Sequence, residues 1–242
     1  MGWIWGWPPN LRLAGTIPQP AALERERGRR RPVPRRVRCR RVSRFLILLL
    51  LAACDAGRDD TPRADPRFAG QILETPVEMP AATLEGADGV PLVLPVGDSG
   101  RVTLLFFGYT NCPDICPVHM ATLAEAMRFL PLEVTREVDV LFVTTDPERD
   151  TPARLREWLG ALHPRFAGLR GTREEVERLE RLLGLPVSVV EGDFVAHATQ
   201  VLAFGLDGVA RTAYPFGTRQ RDWIRDLPLL VAGERPPDPR EP

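Results

Sequence analysis

The chain has 242 residues, 32 basic and 32 acidic, and every basic residue is an arginine. The balance is uneven: 12 of the basic and 2 of the acidic residues precede Cys54, leaving 20 and 30 from there on, a net charge of −10. A domain so acidic is excluded as a nucleic-acid binder, which needs a basic footprint, and the 189 residues from Cys54 onward suit one domain on a tether.

Residues 1–53 read as an N-terminal extension ending in a signal peptide. Trp3, Trp5 and Trp7 crowd the start, and arginines run from Arg25 to Arg44. The expectation is an over-extended start with true initiation nearer Val33, Val37 or Val42; a twin-arginine signal at residues 40–46 is the alternative. The apolar run Phe45 to Leu51 is too short to span a membrane, which takes about 20 residues. With the charge before it and the small residues after it, the run has the parts of a secretory signal. Leu51-Ala52-Ala53-Cys54 resembles a bacterial lipobox, which implies lipid on Cys54 and places the domain on the periplasmic side of the inner membrane. An ordinary signal peptide or an uncleaved anchor would be the plainer reading. Asp55 resembles an inner-membrane retention signal.

Residues 54–76 are expected to be a polar tether, 77–232 the folded domain and 233–242 a flexible, proline-rich tail. Within the domain, Asp88-Gly89 between the apolar runs at 82–85 and 90–94 predicts an N-terminal β-hairpin. Val102 to Phe107 is almost continuously apolar, as in a strand covered on both faces. A helix is predicted from about Pro117 to Leu130, then a strand over 138–145. The next helix opens at Asp150-Thr151-Pro152, with Asp150 or Thr151 as cap and Leu155, Trp158, Leu159 and Leu162 inward. Thr172-Arg173-Glu174-Glu175 has the pattern of a capping box and starts a helix with Val176, Leu179, Leu182 and Leu183 inward, closed by Gly184. A second hairpin around Asp207-Gly208 and a helix from about Thr218 to Leu230 complete the domain. Parallel strands linked by helices and followed by an antiparallel hairpin predict an α/β, thioredoxin-like fold with a central mixed sheet flanked by helices.

Chemistry concentrates at Cys112 and Cys116, at the junction of the first long strand and its helix. A helix N-terminus offers free N–H groups and a positive dipole end, which favour thiolate. Thiolate both ligates metal and attacks disulfides, so the spacing leaves both uses open; a purely structural disulfide would close too small a loop to stabilise much. A third ligand would discriminate. His163, before Pro164 at a helix end, reads as structural, a cation suited to the dipole. His119 is expected to face solvent. His197, directly before the second hairpin, is the candidate for a third ligand, and its position alone leaves open whether it reaches the sulfurs. Asp114 is a candidate to tune thiolate basicity, and Asp146 to Asp150 read as a loop and helix cap in preference to a carboxylate site.

The run Phe106-Phe107-Gly108-Tyr109-Thr110-Asn111-Cys112-Pro113-Asp114-Ile115-Cys116-Pro117 resembles the signature of the SCO/SenC family, thioredoxin-like copper proteins of cytochrome c oxidase assembly. Residues 145–152 resemble the family's second motif, and His197 and residues 214–218 match the rest. The resemblance implies that Cys112, Cys116 and His197 are ligands for Cu(I) or Cu(II), a soft donor set suited to copper. Ala196 and Ala198 replace the acidic and hydroxyl side chains the family usually places beside its histidine. It further implies a metallochaperone that delivers copper to, or reduces the cysteines of, the copper-bearing subunit of cytochrome c oxidase. The alternative is an enzyme, a thiol–disulfide oxidoreductase using the Cys112–Cys116 redox pair without His197; a peroxidase is a more distant third.

Overall fold

Strand Val102–Gly108 organises the molecule. In the computed structural model, which describes residues 67–95 and 100–240, it lies at the centre of an eight-stranded mixed sheet. In chain order the elements are β1 (Gln71–Glu78), β2 (Ala82–Gly86), β3 (Pro91–Leu94), β4 (Val102–Gly108), α1 (Ile115–Phe129), α2 (Leu132–Thr135), β5 (Val138–Thr144) and α3 (Pro152–Leu162). There follow β6 (Phe166–Arg170), α4 (Arg173–Leu182), β7 (Val189–Glu191), β8 (Phe194–Ala196), β9 (Val201–Phe204), β10 (Val209–Tyr214) and α5 (Gln220–Val231). The sheet order is β1-β10-β9-β4-β5-β6-β2-β3, with β4, β5 and β6 parallel and the other pairings antiparallel. Strands β7 and β8 form a separate two-stranded ribbon.

The apolar run of β4 is explained by a core on each face. Side chains alternate across a strand: Val102, Leu104 and Phe106 join α1, α3 and α5 on one side, and Leu105 and Phe107 join α4 on the other. β5 repeats the division, with Val138, Val140 and Phe142 on the first side and Leu141 and Val143 on the second. This is the expected thioredoxin-like arrangement, helices on both faces of a mixed sheet. The hairpin predicted around Asp88-Gly89 is β2–β3, pairing Ala82 with Leu94 and Leu84 with Leu92. Gly89 takes φ +84°, and Val90 N–H donates to Asp88 Oδ1 at 2.9 Å, the reasons a turn here selects those residues.

The helix caps follow the sequence signals. Thr172 accepts from Glu175 N–H while Glu175 reaches back to Thr172 N–H, a complete capping box, worth about 1 kcal/mol. Thr151, not Asp150, caps α3, its hydroxyl accepting from Arg154 N–H at 3.2 Å. Helix α1 begins at Ile115, two residues before the predicted start.

Three expectations are corrected. Part of the expected tether is folded: β1 begins at Gln71 and pairs with β10, and Phe68 is buried. Buried Asp226 holds the approach to β1, accepting from Ala69 N–H at 2.8 Å, Gly70 N–H at 2.9 Å and the Tyr214 hydroxyl at 2.8 Å; no local pattern announces a clamp spanning the domain. Strand β6 and the β7–β8 ribbon were not anticipated, β6 because it is five residues long and carries a glycine. Leu182 points outward, 51% exposed, because it falls off the stripe set by Val176, Leu179 and Leu183.

All described residues belong to one compact unit. The expected extension, signal peptide and lipidated Cys54 lie outside the described residues. No helix among the described residues is long and apolar enough to cross a membrane.

Candidate metal centre

The site forms where β4 ends, at a switch point between β9 on one side and β5 on the other. Gly108 is required there: a Cβ would lie 2.9 Å from Cys116 Sγ and 2.8 Å from the Phe106 ring. The chain then turns, Cys112 N–H donating to Tyr109 C=O at 3.2 Å, and enters α1. Cys116 is fully buried and Cys112 half-buried, and both are reduced. Cys116 N–H points at Cys112 Sγ at 3.5 Å, so the first-turn amide serves the sulfur as the dipole argument requires.

The Cys112 thiol is pulled down from 9.0 to about 4, first because the Cys116 thiol donates to it, then by the Cys116 and Asp114 main-chain amides, against the opposing effect of burial. Cys116 is pushed up, by donating in that same bond and by burial. Cys112 is therefore the thiolate and Cys116 the thiol. Asp114 contributes its amide; its carboxylate is exposed and makes no cap bond.

His197 closes the third side. Its Nε2 lies 3.5 Å from Cys116 Sγ and its Nδ1 lies 2.7 Å from Ala198 C=O. With Nδ1–H donating to that carbonyl, Nε2 is left with its lone pair toward the sulfurs. The main chain of Ala198 thus supplies the orienting partner that the side chains of Ala196 and Ala198 lack. Phe106 and Tyr109 meet the imidazole edge-on, centroids 6.0 and 5.8 Å away and planes at 87°. One donor atom from each of Cys112, Cys116 and His197 falls within 4.8 Å of the others, so the three side chains can hold one soft metal ion.

The remaining sequence candidates fall outside this triad. His119 is buried, 2% exposed, not solvent-facing. Cys116, His119, Met120 and Leu123 form one i, i+3, i+4, i+7 stripe, a signal in the sequence that would have buried it. Its ring stacks on Phe106 at 5.5 Å and lies 6.2 Å from both Phe216 and Trp223. Among the described residues neither ring nitrogen has a hydrogen-bond partner, and burial drives its pKa down to about 4. His163 is buried at the α3 C-terminus against Phe166. Burial first, then Arg128 and Arg165, lower its pKa, and it accepts from Arg165 N–H at 3.3 Å; the cationic reading gives way to a neutral ring.

Asp146 and Asp150 do not form a carboxylate metal site. Asp146 pairs with Arg149. Asp150, fully buried, accepts from Thr110 N–H at 3.0 Å, Thr110 Oγ1–H at 2.5 Å and Thr144 Oγ1–H at 2.6 Å. Arg154 Nε–H donates to Thr110 Oγ1 at 3.2 Å. Asp150 thus ties the cysteine loop to the end of β5, a role that only assembly of the sheet makes visible. Tyr109, also unassigned from sequence, is buried beside the site. Burial raises its pKa.

A thioredoxin-like domain with a dithiol at a helix mouth and an imidazole from a distant loop belongs to the metal-binding thiol proteins. The SCO1/SenC family model matches residues 97–232, more than half of the chain, and the chain belongs to the SCO1/SenC family. It is 36% identical over 140 residues to a Stutzerimonas stutzeri protein named as a candidate copper-binding protein, covering 56% of this chain and 69% of that one. Against the crystal structure of yeast Sco1 with copper bound, the TM-score is 0.58 at 26% identity, over 66% of this chain and 91% of that one. Against BsSco, described as a disulfide-switching member of the Sco family of cytochrome c oxidase assembly proteins, it is 0.54 at 25% identity, over 64% and 94%. The match spans only 45% of a SCO2-like protein from Rickettsia conorii and 50% of the Bos taurus SCO2 homolog.

Proposed function

We propose that this chain is an exported, membrane-anchored copper metallochaperone. It delivers copper to, or reduces the cysteines of, the binuclear copper site of cytochrome c oxidase, with Cys112, Cys116 and His197 as copper ligands. The observation that carries the reading is the convergence of two sulfurs and one imidazole nitrogen within 4.8 Å. The copper-bound yeast relative and the oxidase-assembly relative supply the direction.

Copper is cargo. Two thiolates and one imidazole suit Cu(I), and a further donor lets the same set hold Cu(II), whereas zinc ordinarily completes a fourth position. Cys112 meets the ion already as thiolate, and Cys116 releases its proton on ligation. His197 presents Nε2 because Ala198 C=O holds Nδ1–H. Asp150 and Gly108 keep the loop and helix close enough for both sulfurs to serve one ion. Anchoring rests on Leu51-Ala52-Ala53-Cys54, the lipobox-like sequence.

The acid–base asymmetry of the pair supports the reductase arm as a second reading. Cys112 thiolate attacks one sulfur of a partner disulfide, releasing the other as a partner thiolate. Cys116, its proton passing to solvent, then attacks Cys112 in the mixed disulfide. The Cys112–Cys116 disulfide forms, the partner leaves as a dithiol after protonation, and two electrons have moved.

Copper titration of the reduced protein, beside His197→Ala, tests the proposal. One Cu(I) per chain is expected, with Cu(II) binding weakened by the substitution. Wild type that binds no Cu(I) above background while reducing a protein disulfide would replace the chaperone reading with the reductase one. Unchanged Cu(II) binding in His197→Ala would remove His197 from the ligand set.

A further inference from the structure

The ribbon that ends at His197 is apolar on both faces. Its register pairs Val190 with Val195, and Val189 with Ala196 and Glu191 with Phe194. Alternation puts Val190 and Val195 on one face and the other four residues on the opposite face. Val195 is buried while its partner Val190 is 43% exposed, so this face meets the body at Val195 and opens at Val190. The opposite face is uncovered: Phe194 is 60% and Val189 52% exposed, and Ala196 is exposed beside them. A two-stranded ribbon of three residues a side is marginal alone, and an aromatic and a valine on its solvent face offset none of that.

Position says what covers this face. Phe194 lies three residues before His197, within about 10 Å along the strand. Phe216, 42% exposed, covers the other flank, 6.2 Å from His119, which stacks on the same Phe106 that meets His197. Cys116 is wholly buried, while Cys112 and His197 are half-exposed. Cys112 and His197 are the partly open ligands, and His197 directly follows β8, so a protein reaching them comes up beside the ribbon. Exposed Glu191 shares the apolar face and makes no ion pair among the described residues.

We propose that the outer face of β7–β8, centred on Phe194 and Val189 and continued by Phe216, is the docking surface for the protein that receives the copper ion. This rests on the copper-delivery reading above. The complementary partner is a folded domain with paired thiolate ligands set in an apolar patch, with a basic residue opposite Glu191. Docking desolvates the ligands and holds the acceptor sulfurs over Cys112 and His197; the ion then moves by ligand exchange, without change of oxidation state.

The test follows transfer from the Cu(I)-loaded full chain to the soluble copper-bearing domain of cytochrome c oxidase, in wild type, Phe194→Glu, Val189→Glu and Phe129→Glu. Phe129, 70% exposed at the far end of α1, is the surface control. Phe194→Glu and Val189→Glu are expected to slow second-order transfer at least ~10-fold, the order seen when one interface anchor is lost. Cu(I) affinity and the rate of loss to a small chelator should stay within about twofold, since docking and ligation use different atoms. Transfer at the wild-type rate, or a fall matched by the same fall in copper affinity or chelator exchange, would overturn the proposal. Binding to neutral phosphatidylcholine vesicles that Phe194→Glu abolishes would overturn it in favour of a membrane contact. Wild type that neither binds nor transfers Cu(I) would instead defeat the copper-delivery reading.

Discussion

The two halves of the metal centre are built to different standards. The cysteine half sits between β4 and α1, beside the main core, and Asp150 receives three hydrogen bonds that pin its loop to β5. The histidine half comes from a ribbon whose fixed points are few. Buried Glu180 accepts from Ser188 N–H at 2.9 Å and from its hydroxyl at the base, Val195 packs inward, and Arg149 reaches Asp193 at 3.7 Å near the tip. Under the copper-delivery proposal, a site that binds an ion and then surrenders it profits from this division. The sulfurs keep their separation while the third ligand stands on an element of low local stability.

Substitutions can break or sharpen this contrast. The largest effect is expected in the anchored half: Asp150→Ala leaves Thr110 N–H and two hydroxyls without their acceptor. At ~1–3 kcal/mol for each buried unsatisfied group, the loss should reach about 3 kcal/mol in urea unfolding. A loss below 1 kcal/mol would mean that the loop is not held as described.

His119, in the same half, should carry an acid sensitivity. Its pKa falls from 6.5 to about 4 on burial, so the folded state takes up its proton less readily than the unfolded one. Its contribution is complete above pH 6.5 and drains away as pH falls toward 4. Wild type should therefore lose about 2 kcal/mol between pH 7 and pH 5 that His119→Leu retains. Parallel pH profiles for the two proteins would show that the ring is not buried as a neutral group.

The ribbon should respond less. Ser188→Ala removes one hydroxyl from Glu180 and should cost about 1 kcal/mol. Asp193→Ala should cost less than about 0.5 kcal/mol, because the pair with Arg149 is long and Asp193 is 95% exposed. Ribbon substitutions as costly as Asp150→Ala would abolish the distinction between the halves.

Much of this architecture was legible in the chain. The continuous apolar run of β4 announced a strand with two covered faces, Asp88-Gly89 the hairpin, Thr172 to Glu175 the capping box, and Cys112 and Cys116 the helix mouth. These are signals read within a few residues, where spacing and local hydrogen bonding decide the outcome. β1 and β6 escaped because an edge strand and a short glycine-containing strand have little pattern of their own; the sheet recruits them. Leu182 escaped because one position on a helix turns a side chain from core to solvent.

The sequence by itself placed the candidate donors, two cysteines at a helix entrance and a histidine before a late hairpin. It also determined the alternation that builds a core on both sides of β4, because those properties belong to residue type and period. Only the tertiary structure decided that the 81 residues between Cys116 and His197 close to 3.5 Å. It also decided that Ala198 C=O orients the ring in place of a side chain, that Asp150 serves the cysteine loop, and that His119 is interior. Each of these depends on groups far apart in the chain. Their meeting is set by sheet order and burial, which a local pattern does not encode.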